Sequence, residues 1–332
     1  MTASARGSGV GSAEGTAPWP LVSIVTPSLN QAPFLEQAMR SVLEQDYPNL
    51  EYIVIDGGST DGSLEVIDRY RDRLAFFRSE TDRGQADAVN KGLAQATGEI
   101  VAWLNSDDVY LPGAVGQAVE ALRSHPEAGA VYADGVMVDR DLTVLDRHFY
   151  HPVTVLDLLC FEVILQPSVF VRRAALETVG YLDPGYQLIL DHELWVRIAA
   201  RHPLHHVCSF WSLERTHAGA KTIAQAGAFV EEAERLIAWA SASPVLADLV
   251  RGHRRRITAG LDVFAARRLI DAGRHAEASR RMVHALGLHP PTVLRYWYKA
   301  VQAGLSALGL AGLFEWYRRA RRRLTYGQRR AL

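Results

Sequence analysis

An α/β fold with a mostly parallel, twisted sheet flanked by helices, followed by a helical extension, is what this sequence predicts. Two observations carry that expectation. The short apolar runs at residues 21–27, 52–56 and 100–104 lack polar alternation, as strands covered on both faces do. Between them the apolar residues fall at helical spacing, beginning with Phe34, Leu35, Ala38 and Val42. Strand and helix in alternation argue for parallel strands joined by crossovers.

Each element has its own signal. Residues 21–27 form a strand stopped by Pro27, and Pro33 suits the first position of the helix that follows, where its missing N–H would be unpaired anyway. The second strand, 52–56, ends in Asp56 and the turn residues Gly57 and Gly58, and a helix spans 63–71. A third strand at 75–78 leads through a polar loop into a helix that stops near Gly98. The fourth strand, 100–104, ends abruptly in Asn105, Asp107 and Asp108. Beyond it come a helix at 112–124, strands at 130–138 and 166–173, a helix at 174–179 and a helix at 190–198 with Asp191 at its start. From Ala226 onward the spacing is helical.

The 332 residues, 48% of them hydrophobic, are enough for one large or two ordinary domains. The net charge of -1 hides an asymmetry, because residues 251–332 hold 18 Lys and Arg against 4 Asp and Glu. A basic tail suits nucleic acid or an anionic membrane surface. Cys160 and Cys208 are too few for a disulfide framework or a zinc site, which favours a reducing cytoplasm. Residues 1–18 read as a disordered leader with no secretory signal, 19–225 as the sheet domain and 226–332 as a basic helical region. Within the last, 267–286 resembles one helix-turn-helix unit of the tetratricopeptide type. Residues 300–314 are apolar apart from Gln302 and Ser306, shorter than the roughly 20 residues of a spanning helix. Flanking aromatic residues and the basic run at 318–323 give two readings, a helix lying on anionic lipid or a packed helix with a solvated basic face.

The chemistry concentrates at strand ends, where open α/β sheets bind ligands. Asp107 and Asp108 repel each other unless neutralised, and a hard divalent cation such as Mn2+ or Mg2+ would do so. The alternative is a solvated turn with Asp108 capping the next helix. Asp56 is placed to accept hydrogen bonds from a base or ribose, whereas Gly57 and Gly58 suit a turn or a weak phosphate nest. Asp191 lies near the positive end of a helix, as a reactive acid or as its N-cap. Arg215, His217 and Lys221 fall in one short segment read as a loop, spaced for a diphosphate or simply exposed.

With these residues assembled, the chain resembles family 2 glycosyltransferases of the GT-A fold over residues 21–222. The resemblance rests on six segments in order: 22–30, 55–62, 84–92, 103–108, 191–197 and 215–217. It implies a nucleotide-diphosphate-sugar donor, a divalent metal, and transfer with inversion to a hydroxyl of a glycan or lipid-linked acceptor, in envelope or exopolysaccharide synthesis. Residue by residue it implies that Pro27, Asn30, Asp56 and Asp107 line the donor pocket with Arg215 and Lys221 on phosphate. It implies that Asp108 and His217 hold the metal and that Asp191 is the general base. Glu193, two residues on and about 200° round the helix, points elsewhere. The sequence departs from the family at Gly57, Asn105 and Leu190, where acids are common. A hexosyl- or N-acetylhexosaminyl-transferase at the inner face of the cell membrane, with no nucleic-acid partner, is the resulting expectation. A nucleotidyltransferase, or a surface-binding protein with a dead donor site, are the alternatives.

Overall fold

The computed structural model of the protein describes residues 19–216 and 226–307, with 309, 310, 312, 325 and 331. β1 (Val22–Ser28), β2 (Leu50–Asp56), β3 (Phe76–Ser79) and β4 (Ile100–Trp103) lie in the order β3-β2-β1-β4, all parallel. The crossovers carry α1 (Ala32–Leu43), α2 (Ser63–Asp68) and α3 (Gln85–Leu93). Pro27 sits past the last pairing with β4, Val25 with Trp103, so its missing N–H leaves no ladder bond open.

The sheet continues through β8 (Val169–Arg172), β6 (Ala130–Val138) and β9 (Leu204–Arg215) to β5 (Val109–Tyr110), with β7 (Val144–His148) on β6. Here the pairing is mixed: β4 with β8, β6 with β8, β6 with β7 and β5 with β9 are antiparallel, and β6 with β9 is parallel. The parallel half is therefore the half read from apolar runs. Two apolar cores cover the two faces. Ile24, Tyr52, Val54 and Ala102 point to the side of α1 and of α4 (Ala114–Ser124), while Val25, Ile53, Ile55 and Trp103 point to the other. On that other side Trp103 stacks at 5.3 Å on Trp195 of α7 (Leu190–Ala199).

Short helices α5 (Val155–Leu159) and α6 (Arg173–Val179) lie before α7. Beyond the sheet come α8 (Ala226–Ala242), α9 (Ala247–Gly252), α10 (Arg254–Asp271), α11 (His275–Leu288), α12 (Pro290–Arg295) and α13 (Trp297–Ala307). Helices α10 and α11 form the helix-turn-helix pair, turning at Gly273 with a left-handed φ of 74° that favours glycine. The helical region is fused to the sheet domain. Phe229, Ala233, Leu236, Ile257 and Phe264 belong to the same core as Trp103 and Trp195.

Candidate active site

The β4 strand delivers its polar residues into a network already closed by amides. Asn105 accepts from Gln85 Nε2 at 2.7 Å and donates to Gln166 Oε1 at 3.1 Å and to Asp108 Oδ2 at 3.2 Å. Gln166 in turn donates to the Trp103 carbonyl at 2.8 Å. An amide at 105 both donates and accepts here, which a carboxylate could not do. Asp108 is not a helix cap: β5 follows it, and the N-cap of α4 is Gly113.

Asp108 is buried and Asp107 is partly open. Burial holds the Asp108 carboxyl well above the usual carboxylate range, and the charges of Asp107 and Glu214 push the same way. Glu214, which the expected site does not include, is the penultimate residue of β9 and lies beside this corner. Burial raises it to about 7, with Asp191 and Asp107 adding to the rise and Arg268 opposing it. No apolar run announces it, because β9 carries His205, His206, Ser209 and Ser212 among its apolar residues.

Asp191 lies in the first turn of α7, whose N-cap is Ile189, so the capping alternative does not hold. Its residue surface remains partly open. Burial raises the carboxyl to about 6, against the opposing N–H groups of His192 and of Asp191 itself and the charge of Arg268. Glu214 is thus the acid that links the two: its charge acts on Asp108, and the charges of Asp191 and Asp107 act on it. Glu193 is turned away as expected, paired with Arg197 at 2.6 and 2.7 Å.

Two residues expected on the donor are engaged within the protein itself. The Asp56 carboxylate is fully buried and accepts from the Gly58 and Ser59 amides at 3.0 and 2.9 Å and from the Ser59 and Ser79 hydroxyls. As placed, it shapes the β2–α2 loop and offers no open oxygen to a base. Arg215 is likewise not on a loop facing phosphate. It ends β9 and is buried, and its side chain donates to the carbonyls of Asp107 and Arg140 and to Gln37 Oε1, over the Phe34 ring at 4.7 Å. Asn30, by contrast, is exposed at the end of β1 in a left-handed conformation that asparagine tolerates, its Oδ1 accepting from the Thr60 amide at 2.9 Å. A Cβ at Gly57 would stand 2.4 Å from Asp82 Oδ2, so the loop after β3 places a carboxylate against this position. His217 and Lys221 lie outside the described residues.

Among the described residues no three His, Cys, Asp or Glu side chains converge as a metal cluster. The donor chemistry nevertheless fits a hard divalent cation. Asp107 and Asp108 offer oxygen only, and the crowding that disfavours their joint ionisation is what such a cation relieves. A cavity of about 480 Å³ among α8, α10 and α11, lined by Glu234, Asp262, Arg281 and His284, shares no residue with this cluster.

Residues 23–162 match the family described as Glycosyl transferase family 2. A Bacillus subtilis protein named as a teichuronic acid biosynthesis glycosyltransferase, TuaG, is 34% identical over 54% of this chain and 72% of that protein. The chain belongs to glycosyl transferase family 2. It has the family's GT-A fold: TarS of S. aureus, solved with UDP-GlcNAc, superposes with a TM-score of 0.58 at 18% identity, covering 90% of this chain and 92% of that one. The mannosyltransferase PcManGT of Pyrobaculum calidifontis, solved with GDP-Man and Mn2+, gives 0.57 at 21% identity, covering 93% and 91%. Against other curated relatives this family 2 chain spans only 36%, 54% or 35% of their length.

Proposed function

We propose that the protein is an inverting glycosyltransferase that moves a hexosyl or N-acetylhexosaminyl unit from a nucleotide-diphosphate donor to a hydroxyl of a glycan or lipid-linked acceptor in cell-envelope polysaccharide synthesis. The observation that carries this reading is Asp191. It is partly open at the start of α7, raised to about 6, and linked to the Asp107-Asp108 corner through Glu214. At pH 7 such a carboxyl is ionised by about ten to one, which leaves a base close in strength to what proton removal in the transition state requires. Asp191 takes the proton of the acceptor hydroxyl as that oxygen attacks the anomeric carbon. Inversion follows because the base and the departing diphosphate act on opposite faces of the sugar. Asp107 and Asp108 are the described residues that would hold a divalent cation, whose chemistry is Lewis-acid neutralisation of the leaving oxygens. Asn30 and Pro27 border the donor side at the end of β1.

The name of TuaG and the ligands solved with TarS and PcManGT support the donor class and the envelope role. Location at a membrane surface is part of the same proposal. In α13 the polar Gln302 and Ser306 face inward, while Trp297, Tyr298 and Val301 are exposed, as is Leu294 of α12. This inverted pattern, followed by the basic run at 318–323, suits an anionic interface. No described helix is long and apolar enough to cross a membrane.

The experiment is a screen of UDP-, GDP- and TDP-sugars for Mn2+-dependent donor turnover, with Asp191→Asn as the paired variant. Turnover by the wild type and its loss in the variant support the reading. An Asp191→Asn protein working at full rate would sink it in favour of nucleotidyl transfer, and no donor binding by calorimetry would favour a dead site.

A further inference from the structure

Arg268 belongs to α10, outside the sheet. Its guanidinium lies 4.6 Å from the ring centre of Phe229 and 5.2 Å from that of Phe264, and its buried Nε has no hydrogen-bond partner among the described residues. A cation held against apolar rings and short of hydrogen bonds requires opposite charge within reach. The acids acting on it are Asp271, Glu214 and Asp191, with Arg267 opposing them, and it stays protonated although burial, the largest cause, and Arg267 lower it to about 10.

The same seat is joined to the helix that carries Asp191. His192, buried and held neutral by that burial, stacks on Phe161 at 5.3 Å, and Phe161 stacks on Phe264 at 4.8 Å. From α8, the buried Glu232 carboxylate accepts the backbone N–H groups of Gln187, Leu188 and Ile189 at 2.8, 2.9 and 3.1 Å, fixing the segment that enters α7. The C-terminal helices therefore build the entry to α7 and also bring a cation to its first turn.

We propose that Arg268 is a positioning residue of the transfer site: seated against Phe229 and Phe264, its guanidinium supplies the positive charge that acts on Asp191 at the start of α7, and the helical region is thereby part of that site. The inference rests on Asp191 as the base. The charged groups acting on Asp191 are Arg268 from α10, which favours its carboxylate, and Glu232 from α8, which disfavours it; from β9, Glu214 and Asp191 disfavour each other's ionisation. Removing the cation therefore raises the pH at which Asp191 loses its proton.

The test is a carbon-13 NMR titration of side-chain carboxyls in the full chain without metal, the Asp191 signal being assigned from its loss in Asp191→Asn. Arg268→Met is expected to move the Asp191 midpoint upward by about one pH unit, and Arg268→Lys to hold it near the wild-type value. Arg268→Gln repeats the measurement with a polar chain, so a folding defect in the Met variant does not end the test. In kinetics the acid limb of kcat/KM moves upward with the NMR midpoint, whereas a purely structural role lowers the rate at every pH. An unmoved midpoint in both uncharged variants overturns the inference. A moved midpoint in a protein whose wild type transfers no sugar would leave the electrostatic role standing and overturn the transferase reading instead.

Discussion

Asp108 Oδ1 accepts the backbone N–H of Arg215 at 3.0 Å, and the Arg215 side chain returns to the Asp107 carbonyl at 2.8 Å. Two segments more than a hundred residues apart are clasped at the acidic corner, so the end of β9 sets the position of the carboxylates that end the β4 segment.

Arg215→Ala keeps the backbone half of this clasp but removes the side-chain half, leaving the part-buried acceptors on Asp107, Arg140 and Gln37 without this donor. A loss of about 2–4 kcal/mol in urea denaturation is expected, with Arg215→Lys recovering only part because one ammonium cannot reach the separate acceptors. A loss below about 0.5 kcal/mol would show that the corner stands without it.

Asp191→Asn should separate activity from stability. Transfer is expected to fall by about 10²- to 10⁴-fold. The folded carboxyl is raised to about 6 from 3.8, so the native state holds its proton more tightly than the unfolded chain and stability declines as pH rises through that window. Above it the cost of the buried charge remains, at most about 3 kcal/mol. The variant should therefore have the higher Tm at pH 8, with the gap closing toward pH 4, as calorimetry can read.

Wild-type activity carries the corresponding acid limb. With Asp191 raised to about 6, the rate should fall tenfold for each pH unit below that value, provided the protein stays folded. A limb near 4 would mean that a carboxyl in ordinary surroundings is the base.

Gly260 of α10 tests how the helical region docks. A Cβ there would stand 2.3 Å from the Cys160 carbonyl oxygen at the end of α5. Helix propensity favours alanine by about 1 kcal/mol, yet Gly260→Ala should destabilise by about 1–3 kcal/mol because backbone on both sides must shift. A stabilised variant would mean that the two helices do not approach so closely.

Asp56→Asn replaces an acceptor of four hydrogen bonds by a group with one accepting oxygen. We expect about 2 kcal/mol of lost stability and weaker nucleotide binding together, since Ser59 also receives the Asn30 amide. Weaker binding at unchanged stability would restore the direct base contact expected from the sequence.

Much of the scaffold was legible before folding. The runs ending at Asp56 and Asp108 are strands because residues buried on both faces must be apolar throughout, and that demand is written locally. The helix of Asp191 was equally plain from its spacing. β9 was not, because it is half-buried and its register with β6 shifts around Asp134, so neither a continuous run nor clean alternation marks it.

The sequence by itself determined the strand–helix order, the acids at the strand ends and the six segments that resemble the family. Only the tertiary structure decided which charges meet: that Asp56 is consumed by its own loop, that Arg215 turns inward, that Glu214 joins Asp191, and that Arg268 arrives from a distant helix. Local pattern reports how much of each element is covered, whereas the energy of a buried charge depends on partners that lie near it only after the chain has closed on itself.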